Sequence, residues 1–221
     1  MTSDPRPLTI DIVSDVVCPW CVVGYLQLSK ALKTVGERVR FDVRWRPFEL
    51  NPQMGPDGDN VMEHIQKKYG STEEQSRKAR ARLTDIGAQL GFEFRYTDDM
   101  RMYNTFRAHQ LLAWAAPTGR QTDLKLALFD AFFTRREDVS DPVVLAEVAG
   151  RAGLDADEAA AVLNDGRLAG AVRAEQEEWV DRGVQAVPAI VFNSKYLVTG
   201  AQDAPTFVKV IDKVLGEQSA A

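Results

Sequence analysis

The sequence predicts an α/β fold in which one small sheet, built from both ends of the chain, carries a large all-helical insertion. Residues 1–54 are typical of a strand, a helix and a second strand, and residues 183–221 are typical of two strands and a helix. Residues 55–182 keep helical spacing. The strands close into one sheet only if the two end segments pair. We therefore predict one domain from residues 1–54 plus 183–221 and an insertion domain from residues 55–182.

The N-terminal segment is predicted to form a crossover unit. Leu8–Val13 is rich in β-branched residues and mostly alternates apolar with polar side chains, which favours a half-buried strand. Pro19 is tolerated at the first position of a helix because the amide there has no intrahelical partner, and Gly36 ends that helix. Apolar residues at every second position of Val39–Phe48 predict another strand. A strand, helix and strand in this order indicate parallel pairing with a right-handed connection.

The insertion begins with a predicted loop, Asn51–Asn60, which is rich in turn-forming residues. Ser71 and Glu74 match a capping box, and the helix that they begin ends at Gly91. The other helices are predicted from their caps and from proline and glycine stops. They span Tyr103–Ala115, Asp123–Thr134, Pro142–Arg151, Asp155–Asn164 and Leu168–Arg182.

Strand-forming residues return in the C-terminal segment. Ala189–Phe192 predicts one strand and Lys195–Gly200 predicts another. Asn193 and Ser194 lie between them as a two-residue polar turn, which is typical of a hairpin. A last helix with an apolar face is predicted to begin at Pro205.

The composition argues against two classes of partner. Lys and Arg total 27 against 32 Asp and Glu, so the net charge of −5 has the wrong sign for binding nucleic acid through its phosphates. No window has the roughly 18 uninterrupted apolar residues that a membrane-spanning helix needs. The N-terminus lacks the basic and apolar regions of a secretory signal. We expect a cytoplasmic protein with no nucleic-acid and no membrane partner, and an oligomer stays possible.

The two cysteines of the chain, Cys18 and Cys21, flank Pro19 and Trp20 where the first strand gives way to a helix. A Cys-x-x-Cys pair in this context is typical of a dithiol redox site. Unpaired amides and the positive end of the helix dipole favour an anion there, so they should favour the thiolate of Cys18. We predict that Cys18 is the catalytic nucleophile and that Cys21 resolves the mixed disulfide.

Two alternatives to a redox pair are less well supported. Free cysteines are often small buried core residues, but a chance core position does not explain why both cysteines have this spacing at this junction. A structural metal site needs about four ligands. The remaining ligands of that kind, His64 and His109, lie far apart in the sequence. No metal site is predicted.

Four segments resemble a known family: SDVVCPWCVVG (14–24), RPFELNP (46–52), NTFRAHQL (104–111) and GVQAVPAIVFNSKYLVTGAQ (183–202). Over nearly its whole length the chain resembles the thioredoxin superfamily and, within it, the DsbA-like FrnE-like proteins. These are related to 2-hydroxychromene-2-carboxylate isomerases and kappa-class glutathione transferases. The resemblance implies a thioredoxin fold with a helical insertion, thiol-disulfide oxidoreductase or isomerase activity, and a cis-proline at Pro188.

The resemblance also points to substrate-binding residues. A cis bond between Val187 and Pro188 would turn the Val187 main chain outward beside the dithiol, where an extended substrate can pair with it. A trans proline that opens a strand is the alternative. His109 lies where the related isomerases bring their helical domain to the active site, but a scaffold hydrogen bond suits it as well. The predicted substrate-binding residues are Pro19, Trp20, Val187, Pro188, Asn104 and His109.

Asp15 is a possible proton acceptor. A carboxylate buried near the dithiol can take the proton of Cys21, with its own pKa raised by burial. A solvated loop residue or a helix cap is the alternative for Asp15. Asp11 alternates with apolar neighbours in the first strand and is expected to face solvent.

Three functions follow. The first is a thiol-disulfide oxidoreductase or disulfide isomerase without a tightly bound cofactor, which acts on protein or small-molecule disulfides and thiols with glutathione or a dithiol as electron partner. The second is a glutathione-dependent isomerase or transferase of the kappa type. Relatives with that chemistry typically have serine in place of Cys18 and lack the second cysteine. The third is a non-catalytic protein that binds partners through the helical insertion and needs neither cysteine.

Overall fold

The computed structural model describes residues 6–220 and has the predicted α/β fold, with a sheet made from both ends of the chain. The elements in chain order are β1 (Arg6–Ser14), α1 (Pro19–Val35), β2 (Val39–Pro47), β3 (Asp59–Asn60), α2 (Val61–Tyr69), α3 (Glu73–Leu90), β4 (Arg101–Met102), α4 (Phe106–Ala115), α5 (Gln121–Phe129), α6 (Pro142–Arg151), α7 (Ala156–Asp165), α8 (Ala169–Asp181), β5 (Ala189–Phe192), β6 (Tyr196–Thr199) and α9 (Ala204–Ala220). Residues 1–5 and 221, which belong to the predicted domain of residues 1–54 plus 183–221, lie outside the described part of the chain.

The four main strands lie in the order β2-β1-β5-β6. β1 and β2 are parallel, as predicted, and α1 connects them. β5 is antiparallel to β1, and β5 and β6 form the predicted hairpin. Its turn is longer than predicted by one residue, because Phe192 lies opposite Tyr196 and the Lys195 amide donates to the Phe192 carbonyl at 3.0 Å.

The start of α1 and the packing of Gly24 against Pro188 determine how this helix meets the loop before β5. Cys18 is the N-cap of α1, with an extended backbone (φ −93°, ψ 110°), and Pro19 follows as the first helical residue. A Cβ added to Gly24 would lie 3.1 Å from Cγ of Pro188. Glycine at position 24 therefore lets the proline ring pack closely against the helix, which brings the cysteine motif and the loop together.

The helical insertion is attached to the sheet through Gln121. Its side-chain amide accepts a hydrogen bond from the Trp45 main-chain N–H at 2.9 Å and donates to the Trp45 carbonyl at 3.1 Å. This amide thus pairs with the edge strand β2 as a neighbouring strand would. The Trp45 indole also donates to the Thr122 hydroxyl at 3.0 Å. α5 is therefore held against the sheet edge close to the cysteines.

The first half of the insertion departs from prediction at several places: α2 and β4 were not predicted, and α4 begins at Phe106 instead of Tyr103. The capping box of α3 uses Thr72 and Gln75, whose side chains and amides pair reciprocally, so the predicted Ser71–Glu74 box is wrong by one residue. The predicted loop ends earlier than expected, because Asn60 lies in β3 and its side chain accepts from two amides at the start of α2.

The segment predicted as one helix over Asp123–Thr134 is also different. α5 begins two residues earlier, at Gln121, and ends at Phe129, where six residues of π-helix, Asp130–Arg135, continue it. Phe132 and Phe133 are both buried in this wider segment, with ring centroids 4.8 Å apart. The change of helix type coincides with the burial of these two adjacent aromatic residues.

The main hydrophobic cluster joins the sheet, α1 and the insertion. It includes Ile10 and Ile12 of β1 together with Leu128 of α5. Asp11 lies between those isoleucines but is 3% exposed, so the prediction that it faces solvent is wrong. Its carboxylate accepts from Arg46 at 2.7 Å, which compensates its burial.

Over residues 6–220, no helix combines the length and apolar character needed to cross a membrane.

Candidate active site

The two cysteines occupy different environments at the start of α1. Both are free thiols. Cys18 is 3% exposed and faces the loop before β5, where its Sγ lies 3.8 Å from the Val187 carbonyl oxygen that accepts its S–H. Cys21 is fully buried, and its amide donates to the Cys18 carbonyl at 3.1 Å. Cys18 is therefore the sulfur nearer to an approaching substrate, and Cys21 lies behind it.

The peptide bond between Val187 and Pro188 is cis, so the geometry implied by the resemblance is confirmed and the trans alternative is wrong. Val187 is partly exposed, and its carbonyl is directed at Cys18. The amide and carbonyl groups of an extended chain can pair with main-chain groups presented in this way. The loop thus places a main-chain hydrogen-bonding group beside the outer sulfur.

The pKa of the Cys21 thiol is raised well above its ordinary value. Burial is the main cause, because it disfavours the thiolate, and the hydrogen bond and negative charge of Cys18 raise the pKa further. Lys125 acts in the opposite direction. Cys21 therefore holds its proton more firmly than an ordinary cysteine thiol.

Asp15 lies at the inner side of the dithiol and is fully buried, so it is neither a solvated loop residue nor a helix cap. Its carboxylate accepts from the amides of Val16 and Leu50, both at 2.7 Å, and lies 3.3 Å from Nε2 of His109. Burial alone would raise its pKa, but His109, the Leu50 amide and Lys125 outweigh burial and lower it. The expected rise in the Asp15 pKa is therefore wrong, because these donors stabilise the carboxylate.

Lys125 of α5 is a second buried charge at the site and is not among the predicted site residues. It is fully buried, and its Nζ has no hydrogen-bond partner among the described residues. Nζ lies 5.2 Å from the ring centroid of Trp45 and 5.0 Å from that of Phe129. Burial lowers the pKa of Lys125 to about 8, although negative charge on Cys21, Asp15 and Cys18 raises it.

The other predicted site residues are placed as follows. His109 is 2% exposed and pairs with Asp15, so it lies behind the dithiol. Trp20 is 40% exposed beside Cys18 and Pro19. Asn104 uses its side-chain oxygen to accept from the Phe106 amide at 3.0 Å and its nitrogen to donate to the Met54 carbonyl at 3.5 Å. Substrate binding by these residues stays a prediction.

The family of the protein is identified by a comparison that covers nearly the whole chain. The family model for the DSBA-like thioredoxin domain matches residues 9–212, which include the cysteine pair, the helical insertion and the cis-proline loop. The chain belongs to the DsbA-like thioredoxin family. The fold and the family that the resemblance implied are thereby confirmed.

Relatives of this DsbA-like chain cover nearly all of it. The probable DsbA oxidoreductase SCO1869 from Streptomyces coelicolor is 35% identical, with a TM-score of 0.89 over 95% of this chain and 91% of that one. The uncharacterized protein YwbO from Bacillus subtilis is 26% identical over 91% of this chain and 94% of its own. The cytosolic disulfide reductase DsbM from Pseudomonas aeruginosa, in a structure with GSH, is 18% identical, with a TM-score of 0.60 over 96% and 100% of the chains, and is similar in fold.

A sequence signal for Lys125 did exist. Gln121, Lys125 and Phe129 are four residues apart along α5 and therefore lie on one face of the helix. All three are buried. In the sequence this signal is weak, because Gln121 is polar and only Phe129 marks the Lys125 face as apolar.

Proposed function

We propose that this DsbA-like protein is a thiol-disulfide oxidoreductase whose reaction uses Cys18 and Cys21. The observation that carries this proposal is the position of Cys18 at the N-terminus of α1, directly against the Val187 carbonyl, with Cys21 one turn further in. The N-terminal, positive end of the α1 dipole lies at this residue, a position that suits a reacting thiol. The Val187 main chain supplies pairing for an extended substrate.

The proposed reaction has two exchanges. The Cys18 thiolate attacks one sulfur of a substrate disulfide, whose S–S bond breaks while the other sulfur leaves as a thiolate. After Cys21 loses its proton, its thiolate attacks Cys18 Sγ, and the remaining substrate thiolate leaves. The substrate gains two electrons, and the dithiol loses two as the Cys18–Cys21 disulfide forms. The reverse sequence oxidises a substrate dithiol.

Lys125 is the group that we assign to the second exchange. Asp15 is held as a carboxylate by its donors, so it takes up a proton poorly near neutral pH. Lys125, with a pKa of about 8, changes its protonation state close to neutral pH. As a cation it stabilises the Cys21 thiolate, and as an amine it can accept the Cys21 proton. Lys125 thereby eases the deprotonation that burial of Cys21 opposes.

We further propose that two glutathione molecules, which leave as glutathione disulfide, or one dithiol return the oxidised protein to the dithiol form, and that the protein acts in the cytoplasm. The fold similarity to DsbM, a cytosolic disulfide reductase whose structure contains GSH, supports this choice. Because Cys18 is only 3% exposed, the substrate disulfide must be small or lie in an extended segment that can approach the sulfur.

The first experiment replaces each cysteine in turn. Reduced wild-type protein, Cys18→Ser and Cys21→Ser are mixed with an excess of a peptide disulfide, and the intact masses are measured. We expect Cys21→Ser to accumulate a covalent peptide adduct on Cys18, because its serine cannot resolve the mixed disulfide. The wild type should end as an internal disulfide that is two hydrogens lighter.

Cys18→Ser is the matched control and should form almost no adduct, because Cys21 is buried and keeps its proton. A faster adduct on Cys21 in this variant would reverse the assigned roles. Absence of any adduct and of any oxidation in all three proteins would overturn the proposed function.

A further inference from the structure

A cavity of about 290 Å³ lies between the segment that follows β2 and helix α8. Phe48, Glu49 and Pro52, which follow β2, form one wall, and α8 forms the other. Phe48 and Val187 pack against the same small hydrophobic cluster. The cavity, which we call the Glu49 cavity, is therefore close to the main chain that pairs with substrate in the proposed function.

Glu49 is the unusual residue of this cavity. Its side chain is 3% exposed. Oε2 accepts from the Arg173 guanidinium and from Nε2 of Gln176, the latter at 3.2 Å. Oε1 is buried and has no hydrogen-bond partner among residues 6–220. Because a buried carboxylate oxygen without a donor is costly, this atom marks a position that suits a donor from a bound molecule.

The charge of the cavity favours a cationic ligand. Glu177 and Asp181 of α8 lie on its exposed rim. The one guanidinium in the lining, that of Arg173, already pairs with Glu49 and lies 3.6 Å from the Phe106 ring centroid. The rest of the wall is partly apolar, since Phe48, Pro52 and Val180 contribute to it.

We propose that the Glu49 cavity binds a lysine or arginine side chain of an extended polypeptide substrate, next to the cysteine that reacts with Cys18. The aliphatic stem of such a side chain packs on the apolar wall while its cationic head donates to Oε1 of Glu49. This inference rests on the proposed function, because the Val187 main chain must hold the substrate beside the cavity.

The test compares disulfide-linked peptides that differ only in the residue beside the cysteine, which is lysine, glutamine or norleucine. Fully reduced protein is mixed with each peptide in a single turnover, and oxidation is followed by tryptophan fluorescence and checked by mass spectrometry. We expect wild type to react roughly tenfold faster with the lysine peptide than with the glutamine peptide at subsaturating concentration, because a buried charge-assisted hydrogen bond forms. Glu49→Gln should bring this ratio close to one.

Glu147→Gln is the matched control, because Glu147 is exposed on α6, far along the insertion. It should keep the wild-type ratio. Glu177→Gln combined with Asp181→Asn alters only the exposed rim and should lower the ratio about threefold, which tests the inference even if Glu49→Gln does not fold. Hydroxyethyl disulfide, a small neutral substrate, should oxidise wild type and Glu147→Gln at one rate.

The outcomes separate the two proposals. Equal rates for the lysine and glutamine peptides in wild type, or an unchanged preference in both acidic-residue variants, would overturn the Glu49 cavity as a cation site while leaving the dithiol reaction intact. If neither the peptides nor hydroxyethyl disulfide oxidises the wild-type dithiol, the proposed function itself fails.

Discussion

Asp15 and Lys125 are both buried at the inner side of the dithiol, yet they come from different parts of the chain and are held in opposite ways. Asp15 follows β1 of the sheet, and its carboxylate is surrounded by two amides and His109. Lys125 comes from α5 of the insertion, and its ammonium group lies between two aromatic rings without a hydrogen-bond partner in the described chain. The Asp15 carboxylate therefore has hydrogen-bond donors around it, whereas the Lys125 ammonium group has no acceptor among the described residues.

This difference determines what each group can do. The donors around Asp15 lower its pKa in spite of burial, so the carboxylate stays charged through the neutral range. Burial dominates at Lys125 and lowers its pKa to about 8, so the ammonium loses its proton easily. The sheet thus supplies a fixed negative charge, and the insertion supplies a positive charge that can be switched off near neutral pH.

The largest effect is expected from Asp15→Asn. An asparagine has a single side-chain oxygen, so its NH₂ group must face one of the two amide donors, and the countercharge of Lys125 is lost. We expect the free energy of unfolding at pH 7 to fall by about 3–5 kcal/mol in urea titrations. Because the Asp15 pKa is lowered in the folded state, its stabilising contribution is present above about pH 4 and is lost below it. A loss of stability that is the same at pH 7 and pH 3 would contradict a stabilised carboxylate.

Lys125→Met should act in the opposite direction. Burial lowers the pKa of Lys125 from 10.5 to about 8, a difference that corresponds to about 3 kcal/mol. Below pH 8 the lysine is protonated in the folded and unfolded states, so the full cost of burying the charge is present and methionine removes it. Between pH 8 and 10.5 the folded lysine is deprotonated first, so the stabilising effect of methionine disappears. Urea titrations from pH 7 to pH 10.5 measure this change.

Lys125→Met and its reference protein both carry Cys18→Ser and Cys21→Ser, so that no cysteine contributes to the pH dependence. Because negative charge on both cysteines raises the Lys125 pKa, the change should begin at or below pH 8 in this background. Lys209→Met on α9 is the control, because Lys209 is exposed and should change stability little at any pH. In the native dithiol, Lys125→Met should also move the pH midpoint of mixed-disulfide resolution upward, since Lys125 lowers the Cys21 pKa. An unchanged midpoint would remove Lys125 from the second exchange.

Helices and strands were predictable from the sequence where the local residues are compatible with only one element. The β-branched residues in Leu8–Val13 correctly predicted the first strand, and Pro19 and Gly36 correctly predicted the two ends of α1. α3 was different, because Ser71–Glu74 and Thr72–Gln75 both match a capping box, and only the actual helix start decides between them. Strands of two residues, such as β3, depend on pairing with a distant segment and leave no periodic pattern.

The same distinction applies to the site, where some residues are predictable from local sequence and others depend on distant contacts. The cysteine pair carries its own sequence context, and the resemblance supplied the cis-proline loop. The direction of the Asp15 pKa shift was not predictable from the sequence, because the donors Leu50 and His109 are 35 and 94 residues away. Lys125 was missed because a lysine in an amphipathic helix normally faces solvent, and its burial depends on how α5 packs against Trp45.

The smallest effect is expected from His109→Leu, which removes one of the three donors to Asp15 and leaves both amides in place. We expect a loss of about 1 kcal/mol in the free energy of unfolding at pH 7. Since His109 lowers the Asp15 pKa, the variant should begin to unfold at a higher pH than wild type when acid unfolding is followed by circular dichroism. His109→Gln, which keeps an N–H donor, should restore part of the difference. If both variants unfold at the wild-type pH, the amides and Lys125 stabilise the Asp15 carboxylate without His109, and the insertion acts on the dithiol only through Lys125.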